Sequence, residues 1–526
     1  MDRIAREYLI PDGIGLEDIK HLVRDRMRFV ADPTYEVTRR FLDSFDWRLY
    51  FAQATLEERL DAKGRWLLWQ DVGADTPPQV QPIGATPGFI WDLSAGPVRD
   101  RLEPVLESRR LFSLLEIRSR IQPLRLLNED DKTVGRLRLE DNRSWDADGD
   151  RERPLAARVS LLPVKGYNTA ELQETARVLS QEVGLESVRN QVLVEALAAV
   201  GHRPGGYSSK LDYHLAGNQR ADASTKEILR GLLDTLEANI KGAKENLDSE
   251  FLHDLRVATR RTRSALTQIK GVFAPALVED YKRRFTWVQR ITGPMRDLDV
   301  YLMDFDGYQA SLPAPLRPCL EPLRAFLADH YDGAHKALAE ALGSAEFMEL
   351  LTSWRDFLDA PVPERPAARN AMCPTKSVAD ARIWSMYRRV RKVGQAITHA
   401  SPAPELHELR KHCKKLRYLL EFFSSLYPRP QVGALVKTLK QLLDNLGRFQ
   451  DTAVQIDHLR EAARQMQDAG GVETDTLLAM GALIGSLFGQ QQQARIGFAA
   501  NFADFDSKQN RLVFRNLFAP LAGKGS

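Results

Sequence analysis

Two fifteen-residue stretches of this chain repeat one another, and no other feature restricts its fold as tightly. Leu252–Leu266 reads LHDLRVATRRTRSAL, and 154 residues later Leu406–Leu420 reads LHELRKHCKKLRYLL. Six of the fifteen positions are identical and three more keep their charge sign. The same offset aligns ITGPMRDLDV (Ile291–Val300) with NLGRFQDTAV (Asn445–Val454), pairing Gly293 with Gly447, Asp297 with Asp451 and Val300 with Val454. One register held over roughly fifty residues implies two similar supersecondary units. From Asp222 onward nearly every segment has helical period and none reads as a strand. The expectation for 222–526 is an all-α bundle made of two similar half-bundles facing each other.

Each repeat carries a basic arc. At 100° per residue, His253, Arg256, Arg260 and Arg263 fall within about 80°. Leu252, Leu255, Thr262 and Leu266 fill the neighbouring arc. In the second copy the basic arc is His407, Arg410, Lys414 and Arg417, beside Leu406, Leu409, Cys413, Leu416 and Leu420. Cations at this spacing repel one another, and burying them unpaired is unfavourable. Either local carboxylates solvate the face, or a polyanion supplies the counter-charge; two copies in register favour the polyanion. Arg261 and Lys415 lie outside the arcs. Lys282, Arg283, Arg284, Lys437 and Lys440 extend the patch or are simply solvated. No aromatic sits in either arc for bases to stack on. No helix-turn-helix or zinc-finger spacing is present, so a chain of phosphates fits better than nucleic acid.

A metal is the weaker reading of the same residues. His253, His407, His412 and Cys413 are ligand types, but Cys413 projects onto the apolar arc and reads as a core thiol. Asp297 and Asp299 read as structural acids, since only Asp297 has a counterpart and a lone carboxylate holds a cation poorly. No metal and no cofactor are expected.

The 526 residues exceed one ordinary core. Residues 1–200 hold 29 Lys+Arg against 34 Asp+Glu, while 201–526 hold 45 against 37, so the basic excess is C-terminal. Residues 1–200 read as a strand-rich domain with some helix, and 201–221 as a linker. Short apolar runs such as RWLLWQ, LFSLLEIRSRI and TVGRLRLE have strand length. TAELQETARVLSQEV and ESVRNQVLVEALAAV read as helices, and a helix is expected to start after Ser224 as N-cap. Cys319, Cys373 and Cys413 are odd in number and scattered, which suggests no disulfide framework and a reducing compartment. The start lacks a signal-peptide core. The longest apolar run, Leu477–Gly489, is too short to span a bilayer. A cytoplasmic protein without membrane contact is expected.

HDLRVATRRTR with TGPMRDLDV, then HELRKHCKKLR with LGRFQDTAV, resembles the CHAD domain family over roughly Asp222 to Phe514. The resemblance implies a helical bundle with pseudo-two-fold symmetry that binds inorganic polyphosphate in a basic cleft or pore between its halves, with association to polyphosphate granules. It departs at Thr286, where the family often has lysine; Lys440 keeps that lysine in the second half and joins the expected polyphosphate ligands. CHAD domains often follow a CYTH domain, the triphosphate tunnel fold. REYLIPDG, RRFLDSFDWRLYFAQATLEERL and RLLNEDDKTVGRLRLED resemble segments of one. An antiparallel β tunnel or barrel is therefore implied for 1–200, giving an α+β multidomain chain. The family's ExExK signature falls on Arg3, Ala5 and Glu7, and a later strand has Arg158, Val159, Ser160 and Leu161 where metal-binding glutamates are expected. Metal-assisted phosphohydrolysis needs those carboxylates. The expectation is a degenerate, non-catalytic domain, in which Arg118, Arg120 and Arg125 either line the tunnel or face outward. The alternatives are a CYTH-type triphosphatase with a rearranged metal site, or a nucleic-acid-binding protein.

Overall fold

Alternating apolar and polar residues lay the first part of the chain out as a sheet. The computed structural model describes residues 6–11, 13–73, 76–146, 152–164, 169–188, 192–209, 211 and 213–520. The strands are β1 (Arg6–Leu9), β2 (Phe29–Ala31), β3 (Tyr35–Ser44), β4 (Ala54–Asp61), β5 (Gly64–Asp71), β6 (Gln79–Pro82), β7 (Leu111–Leu127), β8 (Thr133–Asp146), β9 (Glu152–Pro154), β10 (Arg158–Pro163) and β11 (Glu186–Val188). Every ladder is antiparallel. The order is β11-β1-β10-β8-β7-β3-β4-β5-β6, with β2 beside β7 and β9 beside β8. Along β7, Leu115, Ile117, Ser119 and Ile121 are buried while Arg118 and Arg120 stay exposed. Helices α1 (Leu16–Arg24), α2 (Arg48–Phe51), α3 (Pro97–Leu106), α4 (Thr169–Arg177) and α5 (Val192–Ala199) pack on this sheet or fill its connections. Ile19 and Val23 of α1 join Tyr8, Leu137, Leu139 and Val159 in one core.

Two expectations are corrected here. The sheet is not closed: among the described residues no ladder joins β6 to β11. Those end strands have four and three residues, too short to make the staggered pairing that closes a barrel. Glu186–Val188 is a strand on β1 instead of the start of a helix. The segments around Val80 and Arg153 hold two further short strands, β6 and β9, which pair with β5 and β8. Their few residues carry too little alternation to stand out from proline and charge.

The chain divides into two compact units, 1–208 and 209–526. Residues 201–208 of the expected linker thus fall with the first unit and the remainder with the second. The second unit contains α6 (Ala221–Lys244), α7 (Ser249–Gln268), α8 (Pro275–Ile291), α9 (Gly293–Met303), α10 (Phe305–Ala310), α11 (Glu321–Leu342), α12 (Ala345–Asp359), α13 (Thr375–Ala396), α14 (Ala403–Phe422), α15 (Arg429–Asp468), α16 (Thr474–Phe505) and α17 (Lys508–Phe518). Starts of α13, α14 and α15 follow those of α6, α7 and α8 by 154 residues each. The sequence repeat is therefore a structural one. Ser224 does not cap α6; the helix begins at Ala221, and the Ser224 hydroxyl lies buried 2.7 Å from Thr375 Oγ1. That contact joins the two copies at their matching helix starts.

One difference between the copies bears on the site. Pro294 follows Gly293 and starts α9 after a break at Thr292. Arg448 occupies the matching place in the second copy, so α15 runs unbroken through Gly447. No helix among the described residues is long and apolar enough to cross a membrane.

Candidate functional site

The basic helices α7 and α14 lie side by side. Arg260 donates through Nε to Tyr418 Oη at 2.7 Å, and Arg261 Nη2 meets Glu421 Oε2 at 3.2 Å. Apolar residues of both helices, Leu252, Leu255, Leu406, Leu409 and Leu416, are buried as their arcs require. The cations stand at the rim of that core, as the adjoining arcs anticipate.

Each copy anchors one arginine on the helix that follows. Arg256 donates Nη1 to the Gln289 carbonyl at 3.0 Å and to Thr292 Oγ1 at 2.8 Å. Arg410 donates Nη2 to Asp451 Oδ1 at 3.0 Å. A Cβ on Gly293 would lie 3.8 Å from Arg256 Nη1, and one on Gly447 would lie 3.8 Å from Arg410 Nη2. The paired glycines thus leave room for the paired guanidinium groups.

Two adjoining cavities open along the helix pair. One of ≈ 420 Å³ is lined by Arg260, Arg410, Lys414, Arg417 and Arg448, with Asp444 and Asp451. The other, ≈ 370 Å³, is lined by Arg260, Arg263, Lys282, Lys411, Lys414 and Lys415 and by no acid. Together the walls carry nine cationic side chains against two carboxylates. Asp451 is engaged by Arg410. Glu421, next to the cavities, serves both Arg261 and Arg417.

Lys414 lines both cavities. Burial, then Arg410 and Arg260, push its ammonium down to about 8, with Asp451 opposing. Burial also lowers the guanidinium groups of Arg263 and Arg256. Nε of Arg263 and of Arg410 is buried without a hydrogen-bond partner among the described residues, as is Nδ1 of His407. The unfilled donors of Arg263 and Arg410 and the crowded cations of the two cavity walls fit an anionic ligand with several acceptor oxygens.

Arg260, Arg263, Arg410, Lys414 and Arg417 are brought together at the cavities. Arg256 is not among the lining residues; the break at Thr292 offers it two acceptors that draw it into the wall. Leu446 stands at the position matching Thr292, so Arg410 has no such hydroxyl and turns to Asp451. His253 and His407 are half-buried and line neither cavity, and Lys440 is exposed away from both. Of the residues flanking the arcs, Lys282 and Lys415 reach the site; Arg283 and Arg284 are paired with Asp280.

Arg448, Lys411 and Tyr418 escape a reading based on symmetry, because their counterparts are Pro294, Val257 and Ser264. Position next to Gly447 is the one local signal for Arg448. Tyr418 is 7% exposed and its hydroxyl is taken by Arg260, so it braces the wall and offers no stacking face.

A metal has no donor set here: the described residues contain no group of three or more His, Cys, Asp or Glu placed to hold one. Cys413 is fully buried in the core, and burial pushes its thiol far up. Asp299 accepts from Tyr331 Oη at 3.0 Å.

The first unit has a cavity of its own, ≈ 780 Å³, lined by Glu7, Glu57 and Glu140 together with Arg39, Arg59 and Arg138. Arginines engage these three glutamates, whereas Asp61, also in the lining, accepts from the Lys63 amide. Glu57 meets Arg59 at 2.6 Å, Glu140 meets Arg39 at 3.5 Å, and Glu7 meets the buried Arg158 at 3.3 Å. Arg3 and Ala5 lie outside the described residues. Arg118, Arg120 and Arg125 do not line the cavity; Arg118 packs over Trp145 and Arg125 pairs with Asp32.

Residues 227–460 match the family model described as the CHAD domain. The chain is similar to the crystal structure of the CHAD domain from the plant Ricinus communis, at 26% identity, covering 59% of this chain and 97% of that one, with a TM-score of 0.45. It is also similar to PptA from Streptomyces chartreusis, at 18% identity over 54% of this chain and 99% of that one, TM-score 0.43. A candidate adenylate cyclase from Bacillus halodurans aligns at 12% identity with 37% of this chain and 96% of its own, TM-score 0.27. No curated protein matches the chain.

Proposed function

With a CHAD domain over residues 227–460 as the premise, we propose that this protein binds inorganic polyphosphate along the α7–α14 seam. One observation carries the reading: Lys414 is packed among Arg260, Arg410 and Arg417 in walls that hold nine cations and two carboxylates. Such a site is electrostatically incomplete without an anion, and a string of phosphates supplies charge and acceptors at short, regular spacing. Arg260, Arg263, Arg410, Lys414, Arg417 and Arg448 are the ligands of this proposal. Arg256 acts by shaping the wall. His253, His407 and Lys440 lie outside the cavities and would meet only a chain that runs past them. Residence at polyphosphate granules belongs to the same proposal.

The test is a titration of the full chain with polyphosphate and with single-stranded DNA at physiological salt. Polyphosphate is expected to bind more tightly, with an affinity that falls steeply as salt rises, because bound phosphates release condensed counterions. Equal affinity for DNA would move the reading to nucleic acid. Salt-insensitive binding would remove the seam from it.

A further inference from the structure

Lys414 and Arg260 line both cavities of the seam. On α14 the lysine stands four residues after Arg410 and three before Arg417, on one face with both. The other lysines of the walls differ in how they are held. Lys411 is paired with Glu408 and Lys282 with Glu279. Lys414 makes no hydrogen bond and no ion pair among the described residues. Asp451, the acid that acts on it, is engaged by Arg410 at 3.0 Å. The side chain is half-buried, and two cavities give access to it.

An amine so placed is a nucleophile, because desolvation and neighbouring cations strip its proton early. At pH 8 about half of Lys414 is free amine, against roughly 0.4% of a lysine at the ordinary value. The guanidinium groups around it are also a receptor for phosphate, since each planar fork can take two phosphate oxygens. Such walls select an electrophile that carries a phosphate, and hold its reactive carbon beside the amine.

We propose that Lys414 is a modification site for acyl phosphates: Arg260, Arg410 and Arg417 hold the phosphate group while the amine takes the acyl group. The Nζ lone pair forms a bond to the carbonyl carbon. The carbon–oxygen bond to phosphate breaks, and its electron pair leaves on inorganic phosphate. The proton of the amine passes to that phosphate or to water. The product is an uncharged amide, so the walls lose one of their nine cations. Acylation therefore weakens the hold on any polyanion in the seam. That this polyanion is polyphosphate rests on the proposed function; the acylation needs only the basic walls. Lys415 separates steering from reactivity alone. Burial lowers its ammonium too, and it lines the acid-free cavity, but the cations acting on it are Lys411, Arg389 and Lys270.

The full chain is incubated at pH 8 with acetyl phosphate, and in parallel with the N-hydroxysuccinimide ester of acetic acid, a donor without phosphate. Peptide mass spectrometry then gives the acetylation rate at each lysine. With acetyl phosphate, Lys414 is expected to lead the exposed Lys437 and Lys440 about tenfold or more. It should lead Lys415 as well, and with the ester that second lead should shrink several-fold. Arg260→Gln should lower the acetyl phosphate rate at Lys414 about tenfold relative to the ester rate. Any change in amine basicity cancels from that ratio, and the comparison of donors on the wild-type chain stands without the variant. Acetylation of Lys414 no faster than that of Lys437, an equal lead over Lys415 with both donors, or a ratio indifferent to Arg260→Gln would each overturn the proposal. Neither incubation contains polyphosphate, so this proposal and the polyphosphate reading fail separately.

Discussion

Lys414 concentrates the chemistry of the site in one ammonium. Burial and neighbouring guanidinium groups hold it at about 8 in the folded chain, below lysine's ordinary value near 10.4. Between those values the unfolded chain binds more protons than the folded one. Unliganded stability should therefore rise as pH climbs from about 8 towards about 10.4. Polyphosphate affinity should move the other way, weakening as Lys414 loses its proton. Melting curves and titrations from pH 7 to 10 check both signs. Lys414→Met should flatten the first profile, raise the melting temperature at pH 7 and weaken polyphosphate about tenfold or more, as loss of a charged hydrogen bond implies. Arg256→Gln should do the reverse: it removes two wall contacts, so stability falls more than affinity. If the two variants behave alike, the division between ligand and wall residue is wrong.

At the scale of the element, the repeat is most informative where it fails. A proline after Gly293 breaks the helix and frees acceptors for Arg256; Arg448 after Gly447 keeps α15 whole and adds a cation to the cavity. Gly447 lies in a helix interior, and a Cβ there would meet Asp451 and Arg410 at 3.7 and 3.8 Å, ordinary contact distances. Gly447→Ala should thus stabilise the protein by up to about 1 kcal/mol with binding intact. Gly447→Leu has no such room and should separate Arg410 from Asp451, lowering polyphosphate affinity. Thermal melts and titrations of the pair decide it; a Gly447→Leu that binds as tightly as wild type would show that the glycine does not set the position of Arg410.

For the whole molecule, the two units divide the charge differently. The second gathers cations around two cavities, while the first pairs the glutamates of its cavity with arginines. A divalent ion would have to displace those arginines before it could assist hydrolysis. The full chain is accordingly expected to release no phosphate from triphosphate with Mg²⁺ or Mn²⁺. Release well above a blank and abolished by chelator would restore the catalytic alternative. The same contrast predicts that polyphosphate binding follows changes at Arg410 and Arg260 and not at Arg39 or Arg59.

Helical period, the 154-residue register and the placement of the basic arcs are properties of local sequence, because side-chain direction on a helix follows from spacing alone. They determined the helical second half, its two copies and the seam of cations beside the apolar arc. Local pattern also placed most strands of the first half. Whether that sheet closes depended on the reach of β6 and β11, and partners distant in sequence decide such pairing. Which arginine turns into the cavity and which into the wall was likewise settled by neighbours: Arg256 follows the Thr292 break, Arg410 follows Asp451, and Arg448 enters from a position with no cationic counterpart. A guanidinium on a long, flexible stem goes to whatever acceptor the folded chain brings near, and only the tertiary structure fixes where those acceptors are.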